Sequence, residues 1–254
     1  MRSFGRLITN EWLKMYKKRS FFIPYAVIAA VAIIAAYMIH SFGEGEEGLS
    51  GLKFAAMMFT KNGTGQLLTF IAIIGTAGTV AKEHSLGTIK LLLIRAQSRS
   101  KILASKYVTV LIYVLTISLF TFFVSYLAGG ITFGFGSEAG EWQDLFLNMG
   151  VQLAYAIVYV TITFMIGVLT RSTGATIGIS MMLAMMESLI VFLLSRYDFV
   201  KYVLFTNVDL SVYLEGGNPP MEGMTTGFSL VVIAVYLILF LAASFVTFKK
   251  RDVA

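Results

Sequence analysis

The sequence has no cysteine, which excludes disulfides, thiolate metal sites and cysteine nucleophiles and leaves the redox compartment undetermined. Charge is scarce: Asp, Glu, Lys and Arg make up 13% of the 254 residues, where soluble domains use about 25%. His40 and His84 are the only histidines, and both sit at the edges of apolar runs. No HExxH motif and no Ser/His or paired-Asp constellation within a span can be assembled from them, which argues against an intramembrane protease. No Gly-Lys dipeptide occurs. A phosphate-cradling P-loop ends in Gly-Lys-Ser/Thr, so the sequence predicts that this chain is not itself an ATPase. The Leu-Ser-Gly at 49–51 falls in a loop and is not an ATPase signature.

Apolar side chains fill the space that charge leaves. They make up 57% of the chain, with 21 Phe and 13 Met, and the mean hydropathy is +0.79. This is the composition of an integral membrane protein. The first long apolar run, 21–40, is about 20 residues, long enough for a hydrocarbon core of about 30 Å and longer than a signal-peptide core, so it is read as a retained span. Further runs at 66–81, 102–128, 145–170, 174–195 and 227–248 bring the expectation to six spans. The second is short and Gly-rich and could begin earlier, in LKFAAMMFT. The fold class expected is all-α: a polytopic membrane protein with six transmembrane helices, an interfacial amphipathic helix over 1–20 and a membrane domain over 21–254.

Lys and Arg are divided unevenly between the loops. Sixteen of the 20 lie in the N-terminal arm, in 82–106, after the fourth run and at the C-terminus, whereas Lys53, Lys61, Arg196 and Lys201 share the opposite side with ten of the 14 acids. The positive-inside rule then places both termini in the cytoplasm. The formal charge of +6 reflects this topology and contact with anionic lipid, not nucleic acid.

Two basic stretches are amphipathic. In the N-terminal arm Leu7, Ile8, Trp12, Met15 and Tyr16 can share one face, as in a helix lying in the membrane plane. In 82–101, Leu86, Ile89, Leu92, Leu93 and Ala96 fall at three- and four-residue steps. That face either lies on the membrane or docks into a cytoplasmic partner. Glu187 is the only acid inside a span, and such groups face a cavity or a partner. It either hydrogen-bonds a neighbouring Ser or Thr or faces a substrate route. The methionines around it, including Met182 and Met186, either pack against lipid or form an adaptable wall for greasy cargo. Small residues in the second span, with Thr76 and Thr79, suit tight packing or a pathway wall.

In order along the chain, the sequence carries Glu11-Trp12 before the first span and Lys82-Glu83-x-x-x-Gly87-Thr88 leaving the second. Ser98, Arg99, Ile102, Leu103 and Lys106 follow at the entry to the third, and Arg251-Asp252 comes after the last. Over essentially its whole length the chain resembles the permease subunit of ABC exporters of the type-2 class. The resemblance implies a coupling helix over about 82–101 that contacts a cytoplasmic ABC ATPase through Lys82, Glu83, His84, Leu86, Gly87, Ile89, Lys90, Leu93 and Arg95. It also implies a second permease copy or paralogue, and a pathway built mainly from spans two and five, with Thr76, Thr79, Met182, Met186 and Glu187 as candidates. Glu11 and Trp12 would mark the interfacial helix, and the outside loop 196–226 a short re-entrant helix pair. The partner ATPase would use ATP and Mg, with no cofactor bound directly by this chain. The function expected is export of hydrophobic or amphipathic peptides, or immunity to them, across a bacterial plasma membrane. A channel or sensor not driven by ATP is the alternative.

Overall fold

The computed structural model describes residues 4–43, 48–85, 98–136, 138–214, 219 and 221–250; for residues 62 and 80–85 it describes the backbone path alone. Helices account for nearly all of it, with no strand among the described residues. In chain order they are α1 (Phe4–Tyr16), α2 (Ile23–Phe42), α3 (Gly51–Phe59), α4 (Gln66–Ser85), α5 (Arg99–Phe133), α6 (Glu141–Thr170), α7 (Thr173–Leu194), α8 (Leu204–Asn207) and α9 (Thr226–Lys250). Among the described residues, five segments are long and apolar enough to cross a membrane: Arg19–Phe42, α5, α6, α7 and α9. The remaining expected span corresponds to α4, 20 residues long, which is not among the five. Its Thr and Gly residues, and the Lys82-Glu83-His84 at its end, dilute its apolar character.

The bundle is built around α6. The apolar window of that helix is 67% buried, against 17% for α2 and α7 and 11% for α9, so α6 is the axis and the others present broad faces outward. Tyr155, Val158, Tyr159, Val160, Ile162 and Phe164 form its contact surface. One end of the bundle collects α1, the start of α5 and the ends of α6 and α9, where Leu103, Phe164 and Val168 pack with Phe245 and Phe248. The other end holds the start of α3 and the α5–α6 turn, where the Gly51 N–H donates to the Gly134 carbonyl at 3.0 Å.

The amphipathic arm is α1. Met15 is buried, Leu7, Ile8 and Trp12 are half-buried, and Tyr16 is exposed, stacking edge-on against Phe21 and Phe22. Glu11 fastens the helix to the bundle. Its carboxylate accepts from Lys14 at 2.6 Å and from Lys106 of α5 at 2.7 Å, with the Lys106 side chain 3% exposed. Two residues that stood in separate sequence motifs thus meet as an ion pair.

The stretch LKFAAMMFT forms its own helix. α3 begins at Ser50, whose hydroxyl accepts from the Lys53 N–H. It buries Leu52, Phe54, Ala55, Ala56, Met58 and Phe59 against α5 and α6. At its mouth, Ser50 donates to Glu141 at 2.7 Å and Lys53 bridges Glu138 at 2.9 Å and Glu141 at 3.4 Å. The hydrogen bond that Lys53 donates to Glu138 raises its pKa above the ordinary lysine value.

Beyond α7 the chain folds back into the bundle instead of leaving it. Short turns at Asp198–Tyr202 and Leu210–Tyr213 flank α8, and Leu204, Val208 and Leu210 are buried in the cluster that contains Tyr155, Tyr159, Ala184 and Ile233. Asn207 is the clasp. Its amide donates to the Lys201 and Val203 carbonyls at 2.8 Å each and accepts from the Ser229 hydroxyl of α9 at 2.8 Å. Asn207→Ala strands these buried groups and is expected to lower stability by about 2 kcal/mol, read as a thermal melt in detergent; an unchanged melt shows that the clasp is redundant.

Candidate functional site

Between α3 and α4 the sequence reads TKNGTGQ, rich in residues that leave the helical path. The structure breaks there. Lys61–Gly65 makes one wide turn, and Gly63 has non-helical angles (φ −86°, ψ −131°). Several backbone groups near the break find side-chain partners. Thr60 and Thr64 hydroxyls donate to the Met57 and Met58 carbonyls, at 2.8 and 2.6 Å, and the Gln152 amide donates to the Gly65 carbonyl at 2.6 Å and to Thr69 Oγ1 at 3.1 Å. Non-helical backbone at membrane depth survives only when satisfied in this way.

The break projects Lys61 into the bundle. Its Nζ lies 2.8 Å from Glu187 Oε1 and 3.3 Å from Asp209 Oδ2. It also stands 5.4 Å from the centre of the Tyr155 ring, within cation–π range. The other Glu187 oxygen, Oε2, accepts from Tyr155 at 2.6 Å and Tyr159 at 2.7 Å. Those tyrosines are four residues apart on α6, so one helical face delivers both hydroxyls. Asp209 comes from the folded-back segment and is held in turn by the Ser211 N–H and hydroxyl. One ammonium therefore faces two carboxyl groups, and three donors converge on Glu187, using both its oxygens as acceptors.

Depth follows from helix geometry. Glu187 is the fifteenth residue of the 22-residue α7, which puts it about 21 Å from one end and about 10 Å from the other at 1.5 Å per residue. The cluster thus sits within the apolar thickness of the bundle, where an ionisable group is unfavourable by about 3 kcal/mol unless partnered. The cavity bordering it, between Lys61, Gln152, Tyr155 and Asp209, measures about 10 Å³. That is about the volume one water needs.

The residues singled out from the sequence are distributed differently. Glu187 is buried and turned toward α6, and its partners are two tyrosines and a lysine instead of Ser or Thr. Met182 is exposed on the opposite side of α7, on an outward face with Met185, Leu189, Phe192 and Leu193, and Met186 is half-buried between the two sides. Thr76 is buried and bonds the Ala72 carbonyl; Thr79 bonds the Thr76 carbonyl and lines a separate cleft. Thr76 and Thr79 are therefore not brought to Glu187. Lys82, Glu83 and His84 end α4 with only their backbone described, and Leu86, Gly87, Ile89, Lys90, Leu93 and Arg95 lie outside the described residues. Lys61, Tyr155, Tyr159 and Asp209 were not singled out as site residues; from the sequence Lys61 and Asp209 are outside-loop charges. The available signal was the intramembrane acid, which demands a partner, together with a lysine in a break between two apolar helices.

A family model described as a protein of unknown function, DUF2705, matches residues 16–254. The chain belongs to this family. It is also similar to two proteins of Bacillus subtilis (strain 168). The uncharacterized protein YhcI is 38% identical over 208 residues, covering 74% of this chain and 65% of YhcI, so the match spans just under two thirds of that relative. The uncharacterized membrane protein YdbK is 26% identical over 259 residues, covering 100% of this chain and 99% of YdbK. The five apolar helices of this DUF2705 protein and the description of YdbK agree on a membrane protein.

Proposed function

We propose that this DUF2705 protein is the permease subunit of an ATP-driven exporter in a bacterial plasma membrane, with both termini cytoplasmic and α4 acting as the sixth span. A separate ABC ATPase chain hydrolyses ATP with Mg, and a second permease copy or paralogue completes the pathway. The cargo is a hydrophobic or amphipathic peptide, and the physiological role is export or immunity. One observation carries the transport reading: a helix broken inside the bundle, with Lys61, Glu187 and Asp209 gathered at the break. Discontinuous helices with charge at the interruption are how transporters build a site that must change its accessibility. The outward apolar face of α7 supports the second copy, since it needs cover from lipid or protein. The type-2 resemblance of the sequence supports the ATPase partner.

The test is purification of the tagged chain from its native membrane, followed by reconstitution with the ATPase that accompanies it. ATP hydrolysis stimulated by amphipathic peptides in proteoliposomes is the expected result. A chain that purifies without any ATPase and passes ions or solutes unaided would instead be a channel or sensor.

A further inference from the structure

A second feature lies away from the charge cluster. Where α1, the turn at Arg19–Phe21, α2 and α4 meet, they leave a cleft of about 430 Å³, within the size range of ligand pockets. Its walls are apolar: Phe21, Val27, Ile71 and Ile74, with Tyr113 of α5 at the back. Tyr113 reaches that position because Gly75 has no side chain; a Cβ there would stand 2.2 Å from the ring. Gly78 lines the opening, and a Cβ on it would meet nothing within 4 Å. Val27 and Ile74 are exposed, so the cleft opens sideways, between helices, toward the lipid.

Basic residues stand at the mouth. Lys18 and Ser20 line it, and Lys17 and Arg19 flank it, all exposed. The one acid of α1, Glu11, is held by Lys14 and Lys106. We propose that this cleft binds an anionic phospholipid of the surrounding bilayer, its acyl chain between α2 and α4 and its phosphate against the 17–20 turn. The chemistry is that of a chain-sized apolar slot ending at the membrane surface in cationic and hydroxyl donors, a site that repels cationic cargo and retains lipid. Because the turn that follows α1 supplies the mouth and α4 a wall, a bound lipid joins the end of the surface helix to the helix that follows the break.

Native mass spectrometry of the full chain, released from nanodiscs holding equal phosphatidylglycerol and phosphatidylcholine, reads this directly. The wild type is expected to keep phosphatidylglycerol preferentially, and Lys17→Ala to reduce that preference about fivefold. Gly78→Phe and Val27→Trp plug the cleft from opposite walls and are expected to abolish retention, while Gly78→Ala, whose added methyl meets open space, retains it. Either plugged variant keeping wild-type phosphatidylglycerol while monodisperse and fully helical overturns the proposal. So does equal retention of the two lipids by the wild type.

Discussion

Glu187→Leu is expected to lower the unfolding free energy by about 3 kcal/mol, the lower end for breaking a buried ion pair, because the Lys61 side chain keeps 31% of its exposure. The loss comes from what remains. The Lys61 ammonium retains Asp209 at 3.3 Å, while the Tyr155 and Tyr159 hydroxyls lose the oxygen they share. Glu187→Gln is not benign either. Both carboxylate oxygens accept hydrogen bonds, so an amide that keeps its oxygen toward Lys61 turns its NH₂ toward the two tyrosines, whose hydroxyls must rotate to accept, and the Lys61 ammonium loses one of its two carboxylates. Lys61→Met with Glu187→Leu should be milder than the sum of the single changes, with a coupling of about 2 kcal/mol. Thermal melts of the four variants in one detergent measure the cycle. Strict additivity would mean that the pair carries no stability and that its role, if any, lies in another conformation.

How much of this was legible beforehand depends on the range of the interaction. The apolar runs, the amphipathic arm and the intramembrane acid are local patterns, and α2, α5, α6, α7 and α9 follow the runs closely. α3 and α4 were read as one span with an uncertain start, since a broken helix and a short Gly-rich span have the same composition; the deciding fact, that Gln152 and two threonines satisfy the break, is tertiary. Lys61 was hidden by the topology argument itself. Counted among outside-loop charges, it appears solvated, whereas its partner lies 126 residues away. Tyr155 and Tyr159 gave no signal because tyrosine in an apolar helix reads equally well as packing. Asp209 required knowing that the loop after α7 turns inward, which depends on Leu204, Val208 and Leu210 finding α6 and α9.

The other large effect is expected at the far end of the bundle, where α3 meets α5. A Cβ on Gly51 would lie 2.8 Å from both the Cα and the N of Gly130, and one on Gly129 would lie 3.1 Å from the Gly51 Cα. Two backbones touch here, so no rotamer change relieves an added side chain; the helices must separate. Gly51→Leu should therefore reduce stability by about 3 kcal/mol, the upper part of the overpacking range, by lifting α3 off α5. Displacement of α3 also moves the turn that carries Lys61, ten residues on. Gly51→Leu and Glu187→Leu should for that reason combine less than additively, although the two sites share no contact. Gly150→Ala is the control, since its Cβ meets nothing within 4 Å on α6, and it should be neutral or gain up to about 1 kcal/mol from helix propensity. Spin labels on exposed Met57 and exposed Leu127 report the α3–α5 separation. An increased distance in Gly51→Leu with an unchanged one in Gly150→Ala is the expected pattern. A tight crossing in Gly51→Leu, with a normal melt, would show that the close approach of the two glycine-bearing helices does not set the position of the break.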